Sequence, residues 1–214
     1  MNFISTITYL LEGALQAIAL FGLTIIFSLS LGLLVAKLRQ SKHKAIQLPV
    51  KLYLLVMRWT PLMLQLFFFM YCPSLVFGIP IDRFLAAVIS FSLNYAAYFA
   101  EIYRGGIESI PDGQYEAASV LGLSQTQTFV RIILPQVIKR IIPACANECM
   151  TLVKDTALAK VIGVAELMRN AKNLMSSQAT PIPLVIAGIF YLIMNSVVAM
   201  AFSKIEKKLN YYKG

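Results

Sequence analysis

Polar side chains at helical spacing inside an apolar stretch are the first candidates for chemistry in this sequence. Asn94, Tyr98 and Glu101 follow one another at i, i+4 and i+7, so a helix would present them on one face. A charge in membrane hydrocarbon costs about 3 kcal/mol, so Glu101 is expected to face protein, water or the membrane surface. An i, i+3 ion pair with Arg104 is the preferred interpretation for Glu101. Asn94 and Tyr98 are predicted to line a polar pathway.

A second polar group lies in a later apolar stretch. Asn147 and Thr151 share a helical face with Lys154, whereas Glu148 and Asp155 share another face at i and i+7. Glu148 lies deeper than Asp155, which makes it the better candidate for meeting an ammonium group. Internal neutralisation by Lys154 fits its position equally well.

The remaining polar residues of the apolar stretches give weaker predictions. Gln65 is a single amide that could line a pathway, and Asn195 forms an i, i+4 pair with Tyr191. His43 is the single histidine and lies in a basic loop, and the three cysteines lack metal-ligand spacing. The acids are not accompanied by a paired His, Cys or Ser constellation on any one face, so neither a catalytic group nor a metal site is predicted.

The elements that hold these residues are predicted to be membrane helices. The chain has 214 residues, of which 58% are hydrophobic and only 14% charged, and this is too apolar for a soluble domain. An α-helical span needs about 20 mostly apolar residues. Five stretches qualify as spans: 13–36, 57–78, 84–103, 132–153 and 182–203. Residues 157–183 are too polar to span and are expected to form a re-entrant or external gate helix.

The basic residues indicate how the spans are oriented. The net charge is +9, and thirteen of the 19 Lys and Arg lie on one side of the predicted topology, at 37–51, 104–140 and 204–213. The first twelve residues contain none, so the positive-inside rule places the N-terminus outside and the C-terminus in the cytoplasm. Because these charges flank apolar spans, the predicted partner is the lipid bilayer and not nucleic acid.

The approach to the second span contains several local signals. Pro49 predicts the start of an interfacial helix at 50–57. Arg58 could then extend to the cytoplasmic headgroups, Thr60 could cap the span, and Pro61 could occupy its first turn.

Residues 116–135 form a polar interruption between two predicted spans. Ala-rich sequence predicts a short surface helix at about 115–123, and Gly122 is suited to end it in a left-handed conformation. Ser124 could cap a second helix, which Pro135 is expected to interrupt. The charge pattern places this segment in the cytoplasm.

The spacing E-A-A, three residues, G, nine residues, I-x-L-P in this segment resembles the loop signature of the membrane subunits of binding-protein-dependent ABC importers. Its positions are filled by Glu116, Ala117, Ala118, Gly122, Ile132, Leu134 and Pro135. Three further blocks are similar to the polar amino-acid permeases of that family: R-W-T-P-L-M-L-Q-L at 58–66, A-Y-F-A-E-I-Y-R-G-G-I-E-S-I-P-D-G-Q at 97–114, and K-D-T-A-L with I-G-V-A-E-L at 154–167. The resemblance runs from about Leu11 to the C-terminus. It departs at Trp59, where the family usually has glycine.

The resemblance implies a fold and a set of partners. The fold is an all-α membrane protein with the five spans of type I ABC importer permeases, and residues 1–214 form one transmembrane domain. The short surface helix at about 115–123 corresponds to the coupling helix of the family, in which Leu123 lies beside the signature residues. The resemblance implies that this helix docks on a cytoplasmic ABC ATPase dimer. The other implied partners are a second membrane subunit, an extracytoplasmic amino-acid-binding protein and an amino-acid substrate. The implied location is the bacterial inner membrane.

The sequence supports a transport subunit that is not itself an enzyme. It contains no G-x-x-x-x-G-K-[ST] motif, so ATP and Mg are expected on a partner ATPase and this chain is predicted to hold no cofactor. Five spans are few for a complete pathway, so a second copy or homologous subunit is expected. The alternatives are an ATP-independent channel or secondary carrier, and a membrane-embedded enzyme that uses Glu101 or Glu148. Polar or basic amino acids are the predicted cargo.

Overall fold

The computed structural model describes residues 3–209, and no β-strand occurs within that range. Nine α-helices occur in these residues: α1 (Phe3–Arg39), α2 (Lys44–Trp59), α3 (Leu62–Phe77), α4 (Arg83–Glu108), α5 (Asp112–Val120), α6 (Gln125–Thr128), α7 (Leu134–Asp155), α8 (Leu167–Gln178) and α9 (Ile182–Leu209). A π-helical turn (Phe129–Ile133) precedes α7, and a 3₁₀ segment (Thr156–Ile162) follows it. Lys213, which contributes to the charge argument, lies outside the described residues.

Helix α4 forms the centre of the bundle and packs along α1. A Cβ atom on Gly32 would lie 3.0 Å from the Phe99 Cβ and 3.2 Å from the Ala96 carbonyl oxygen, so the two backbones approach closely. Leu20, Phe91 and Phe99 are fully buried in the main hydrophobic cluster. Most polar residues of α4 therefore have to find partners inside protein.

Helix α4 also packs closely on α7. A Cβ on Gly106 would lie 2.2 Å from Cγ2 of Ile141 and 3.2 Å from Cγ1 of Val137. The Gly105–Gly106 pair is helical, since α4 continues to Glu108 beyond the predicted end of the span at 103. Gly106 permits the close contact of α4 with α7, and the two glycines do not form a turn.

Helices α2 and α3 meet at a sharp break and are bent by 113° relative to one another. The predicted start of an interfacial helix at Pro49 is wrong, because α2 begins at Lys44 and contains Pro49. Thr60 ends α2 instead of capping α3, and its hydroxyl donates to the Val56 carbonyl at 2.8 Å. Pro61 is the N-cap residue of α3, one position earlier than predicted.

Length and apolarity identify fewer spans than the five that the sequence predicts. Helices α1, α4 and α9 are long and apolar enough to cross a membrane, and the α2–α3 pair adds a fourth if it counts as one broken span. Helix α7 covers the predicted fourth span but contains Lys139, Arg140, Glu148 and Asp155 among its 22 residues. Its polar residues explain why composition alone does not mark it as a span.

Residues 157–183 form the 3₁₀ segment and α8. Helix α8 packs on α1 and α9, where Leu167, Ala171 and Leu174 join Leu10 and Ala17 in a buried cluster. The Asn170 amide also donates to the Tyr9 carbonyl of α1 at 2.8 Å. The segment is thus helical, as predicted, and its function as a gate stays a prediction.

Candidate functional site

Helix α5 extends from the bundle with almost no burial. Of its residues only Ala118 is buried, whereas Val120 is 88% exposed and Leu121, which follows the helix, is 75% exposed. Two large apolar side chains are thus exposed on an otherwise polar interruption of the spans. The helix spans Asp112–Val120, which shifts the predicted range of 115–123 towards the N-terminus.

Gly122 ends α5 as predicted. Its φ of +73° lies in the left-handed region, where an L side chain is strained. The Leu123 N–H donates to the Ala118 carbonyl at 3.1 Å and the Gly122 N–H to the Ser119 carbonyl at 3.0 Å, which is a Schellman cap. The chain therefore turns sharply at Leu121–Gly122 and presents the Leu121 side chain at the turn.

The chain then re-enters the bundle through a continuous helical path. The Ser124 hydroxyl accepts from the Gln127 N–H at 3.3 Å, and the Gln127 side chain accepts from the Ser124 N–H at 2.9 Å, so a capping box starts α6. The expected interruption at Pro135 is wrong. The preceding π-helical turn, closed by the Leu134 N–H to the Phe129 carbonyl, leads directly into α7 and absorbs the proline.

The base of this surface segment, residues 112–135, is fixed to α4 and α7. Ile110 packs with Ile133 and Val137 in a small buried cluster. Arg140 donates to the Ser109 carbonyl and, at 3.0 Å, to its hydroxyl. A force on α5 would therefore act on the ends of two bundle helices.

The predicted coupling residues divide into two layers of the surface segment. The outer layer is exposed and contains Glu116, Ala117 and Gly122. The inner layer is buried or half-buried, apart from the exposed Pro135, and contains Ala118, Leu123, Ile132, Leu134 and Pro135. The spacing thus places three of the predicted coupling positions on the outside of the segment and five at its base, and their part in coupling stays a prediction.

Gln65 and Asn94 meet at the break between α2 and α3. The Met57 carbonyl has no helical donor, because residue i+4 is Pro61 and proline lacks an N–H. The Gln65 amide donates to this carbonyl at 3.0 Å and the Asn94 amide at 2.9 Å, and Asn94 also donates to the Gln65 side-chain oxygen at 2.9 Å. A Gln65 bond to the Thr60 hydroxyl at 2.9 Å completes the group.

These contacts give both amides a clear structural role. Gln65 and Asn94 are buried and satisfy a carbonyl that lipid could not solvate. Their observed partners lie within the chain, so lining of a solute pathway by these two residues stays a prediction.

Glu101 lies at the centre of an arginine cluster. The predicted ion pair with Arg104 is confirmed, with Nη2 at 2.9 Å from Oε2. Arg39 at the end of α1 also contacts Glu101, and Arg58 lies 3.5 Å from the same carboxylate. Arg58 does not extend away to the headgroups, because its guanidinium lies 5.7 Å above the centre of the Tyr98 ring. Tyr98 is half-buried beneath it.

The two faces predicted for α7 differ in exposure. Asn147, Thr151 and Lys154 are exposed, whereas Glu148 and Asp155 are half-buried. No ion pair joins Lys154 to Glu148 among residues 3–209, so the internal neutralisation considered above is not formed. The acidic pair therefore lies on the less exposed of the two faces of the helix.

Asp155 has an aromatic partner that sequence reasoning missed. The Tyr95 hydroxyl donates to its Oδ2 at 2.8 Å. Tyr95 follows Asn94 directly and so lies off the face shared by Asn94, Tyr98 and Glu101. Only the packing of α4 against α7 shows that it belongs to the candidate site.

Glu166 is the second missed residue. It is fully buried, caps α8 through the N–H groups of Met168 and Arg169, and accepts from the Tyr191 hydroxyl at 3.1 Å. Burial raises the pKa of Glu166, and these hydrogen bonds act in the opposite direction. The Asn195 amide donates only to the Tyr191 carbonyl of its own helix, at 3.1 Å. The I-G-V-A-E-L block was the available signal for Glu166.

Residues 3–209 contain one apolar cavity of note, which lies away from the predicted pathway residues. No group of three or more His, Cys, Asp or Glu residues able to hold a metal occurs in the described range. A cavity of about 300 Å³ between α1, α7 and α9 is lined mainly by apolar side chains and contains none of the predicted pathway residues.

Comparison with known proteins agrees with the arrangement of the helices. A family model described as binding-protein-dependent transport system inner membrane component matches residues 28–211. The L-cystine transport system permease protein TcyB of Bacillus subtilis is 37% identical over 203 residues, covering 94% of this chain and 86% of that protein. The arginine transport system permease protein ArtQ of the same organism is 35% identical over 207 residues, covering 96% of this chain and 94% of that protein.

A solved structure extends the likeness to three dimensions. The structure of an amino acid ABC transporter with histidines superposes with a TM-score of 0.87 and is 32% identical. It covers 97% of this chain and 99% of the matched chain, so the helical architecture corresponds over nearly the full length of both.

Proposed function

Since the chain belongs to the family of inner membrane components of binding-protein-dependent transport systems, we propose that it forms half of the translocation pathway of an ATP-driven amino-acid importer. It is a transport component and not an enzyme. The observation that carries the proposal is the exposed turn after α5, where Gly122 of the family signature lies beside the exposed Leu121 on a segment fixed to two bundle helices.

The proposed fold has five spans: α1, the α2–α3 pair, α4, α7 and α9. The N-terminus lies outside and the C-terminus in the cytoplasm of a bacterial cell, with the chain in its inner membrane. The similarity to a solved amino acid transporter supports the span count, and the distribution of Lys and Arg supports the orientation.

Three kinds of partner protein are proposed. A second membrane subunit, identical or homologous, completes the pathway beside the acidic face of α7. A cytoplasmic ATPase dimer binds ATP and Mg and contacts the surface segment, and an extracytoplasmic binding protein delivers the solute. ATP-driven closure of the ATPase would move α5 and, through Ile110 and Arg140, the ends of α4 and α7.

The proposed cargo is a polar or basic amino acid. Glu148 and Asp155 are two half-buried carboxylates seven residues apart on one helix, which suits an ammonium group. Relatives named for L-cystine and arginine support this class without selecting a member of it.

Co-purification tests the proposal against a channel or secondary carrier. The tagged chain, extracted in mild detergent from cells that express it with its cognate ATPase, is expected to retain that ATPase in stoichiometric amount. An ATPase that is expressed but never retained would contradict the importer. A control with a tagged unrelated membrane protein measures non-specific retention.

A further inference from the structure

Helix α2 packs against the last turn of α1. Its Leu54 is buried in a cluster with Ala36 of α1 and Ala97 of α4. Its Gln47 amide donates to the carbonyl of Arg39, which ends α1 on the proposed cytoplasmic side, at 3.3 Å. Because α2 and α3 are bent by 113° relative to one another, both cannot run along the membrane normal. With α3 as the crossing part of the pair, α2 lies near the cytoplasmic membrane surface.

An apolar stripe on α2 is exposed. Four large side chains recur at i, i+4, i+7 and i+11, which is one helical face: Leu48, Leu52, Leu55 and Trp59. They are 61%, 62%, 45% and 76% exposed, respectively. On a helix that lies along a membrane surface, such a face is buried at the boundary between headgroups and acyl chains.

A basic stripe borders the apolar one. Lys44, Lys51 and Arg58 recur every seven residues and share a face of α2. Arg58 is engaged with Glu101 and the Tyr98 ring. Lys44 and Lys51 are exposed, and neither forms an ion pair within residues 3–209. These two ammonium groups are therefore available to an external anion.

The surrounding sequence contains no acid that could balance these lysines. Residues 13–81 include six Lys and Arg and neither Asp nor Glu. Arg39 and Arg58 contact Glu101 of α4, and the other four cations are exposed lysines at positions 37, 42, 44 and 51. The compensating negative charge has to come from outside this part of the chain.

The two stripes together fit an anionic lipid. Lys44 lies one helical turn from Leu48, and Lys51 lies one turn from Leu55. We propose that α2 binds anionic phospholipids of the cytoplasmic leaflet, with the two lysines on headgroup phosphates and the leucines among acyl chains. An acidic protein surface would satisfy the lysines and leave the apolar stripe exposed. The inference rests on the orientation in the proposed function and is independent of the cargo.

The test uses an indole reporter on α2. Trp59 is the single tryptophan of the chain, so Trp59→Phe with Leu48→Trp leaves one indole between the two lysines. The full-length reporter chain is incorporated into vesicles of equal parts phosphatidylglycerol and phosphatidylcholine. Brominated acyl chains, which quench indole fluorescence on contact, are placed on one lipid at a time. The ratio of the two quenching efficiencies measures which lipid lies beside α2.

Phosphatidylglycerol is expected to be enriched about threefold or more beside the reporter, because each lysine near an anionic surface adds severalfold to the attraction. Lys44→Gln with Lys51→Gln should bring the enrichment close to one, whereas Lys44→Arg with Lys51→Arg should retain it. Lys204→Gln with Lys207→Gln is the matched control. It removes the same charge from exposed positions of α9 on the same proposed side and should leave the enrichment unchanged.

Three results would overturn the inference. The first is equal quenching by the two brominated lipids, and the second is an unchanged enrichment in the double glutamine variant. The third is no quenching by either lipid, which would mean that protein covers this face of α2. If the double variant fails to insert, the two single glutamine variants decide, and full enrichment in both overturns the inference. A complete system that takes up no amino acid would overturn the proposed function and leave the enrichment at α2 unaffected.

Discussion

Replacing Leu121 by arginine should weaken binding of the ATPase about 30- to 1,000-fold and reduce ATP-driven uptake by a similar factor. Leu121 is 75% exposed at the turn that Gly122 forms, which is the turn proposed to contact the ATPase. Loss of such a central contact typically costs about 2–4 kcal/mol, and each 1.4 kcal/mol is about tenfold in affinity. Retention of the ATPase on the tagged chain and uptake in vesicles measure the two effects.

Ser203→Arg is the matched control for this substitution. Ser203 is exposed near the end of α9, on the proposed cytoplasmic side, and lies outside the surface segment. It adds the same charge and should leave ATPase retention near the wild-type level. Equal retention by the Leu121→Arg variant would exclude this turn as a docking contact.

The double variant Gln65→Leu with Asn94→Leu should be strongly destabilised. Both amides donate to the Met57 carbonyl, which Pro61 deprives of its helical donor. Either single change leaves one donor and should cost about 1–3 kcal/mol of unfolding free energy, as for other buried hydrogen bonds. Removing both leaves a buried carbonyl unpaired, so the double variant should lose more than the sum of the single changes. Thermal unfolding in detergent measures the order of stability.

Gln47→Leu controls for the loss of a glutamine from the same bent helix pair. Its amide donates to the Arg39 carbonyl at 3.3 Å, outside the break, and its removal should cost less than either buried change. A double variant as stable as the Gln47→Leu variant would show that the break does not depend on these two amides.

Features set by neighbouring residues could be predicted from the sequence. The left-handed end of α5 follows from Gly122, the capping box from Ser124, and the Glu101–Arg104 pair from i, i+3 spacing. Each depends on a few adjacent residues, so no knowledge of the packing was needed. The family signature in the surface segment combined several such local features.

Features set by packing could not be predicted in the same way. Arg39 reaches Glu101 only because α1 and α4 lie side by side, and Tyr95 reaches Asp155 only because α4 packs on α7. The continuation of the helix through Pro135 was also missed, because the π-helical turn that precedes this proline has no simple sequence signal. Pro61 did carry a usable signal, because the carbonyl four residues before a proline always needs another donor.

The polar residues of the candidate pathway illustrate the same division. Spacing placed Asn94, Tyr98 and Glu101 on one face of α4, which is the face that meets α2 and the arginine cluster. Spacing could not tell that Asn94 would be used inside the chain while Arg58 would remain partly exposed beside it. The distinction depends on the 113° break, which places the end of α2 beside α4.

In the proposed function, ATP hydrolysis on a partner subunit drives amino-acid import through this chain. The direct test is uptake of radiolabelled amino acids into vesicles that contain the chain with its second membrane subunit and ATPase, with the binding protein added outside. Accumulation above the external concentration is expected only with ATP and Mg inside, and it should cease with Leu121→Arg. Equal accumulation without ATP, or without the ATPase subunit, would exclude an ATP-driven importer.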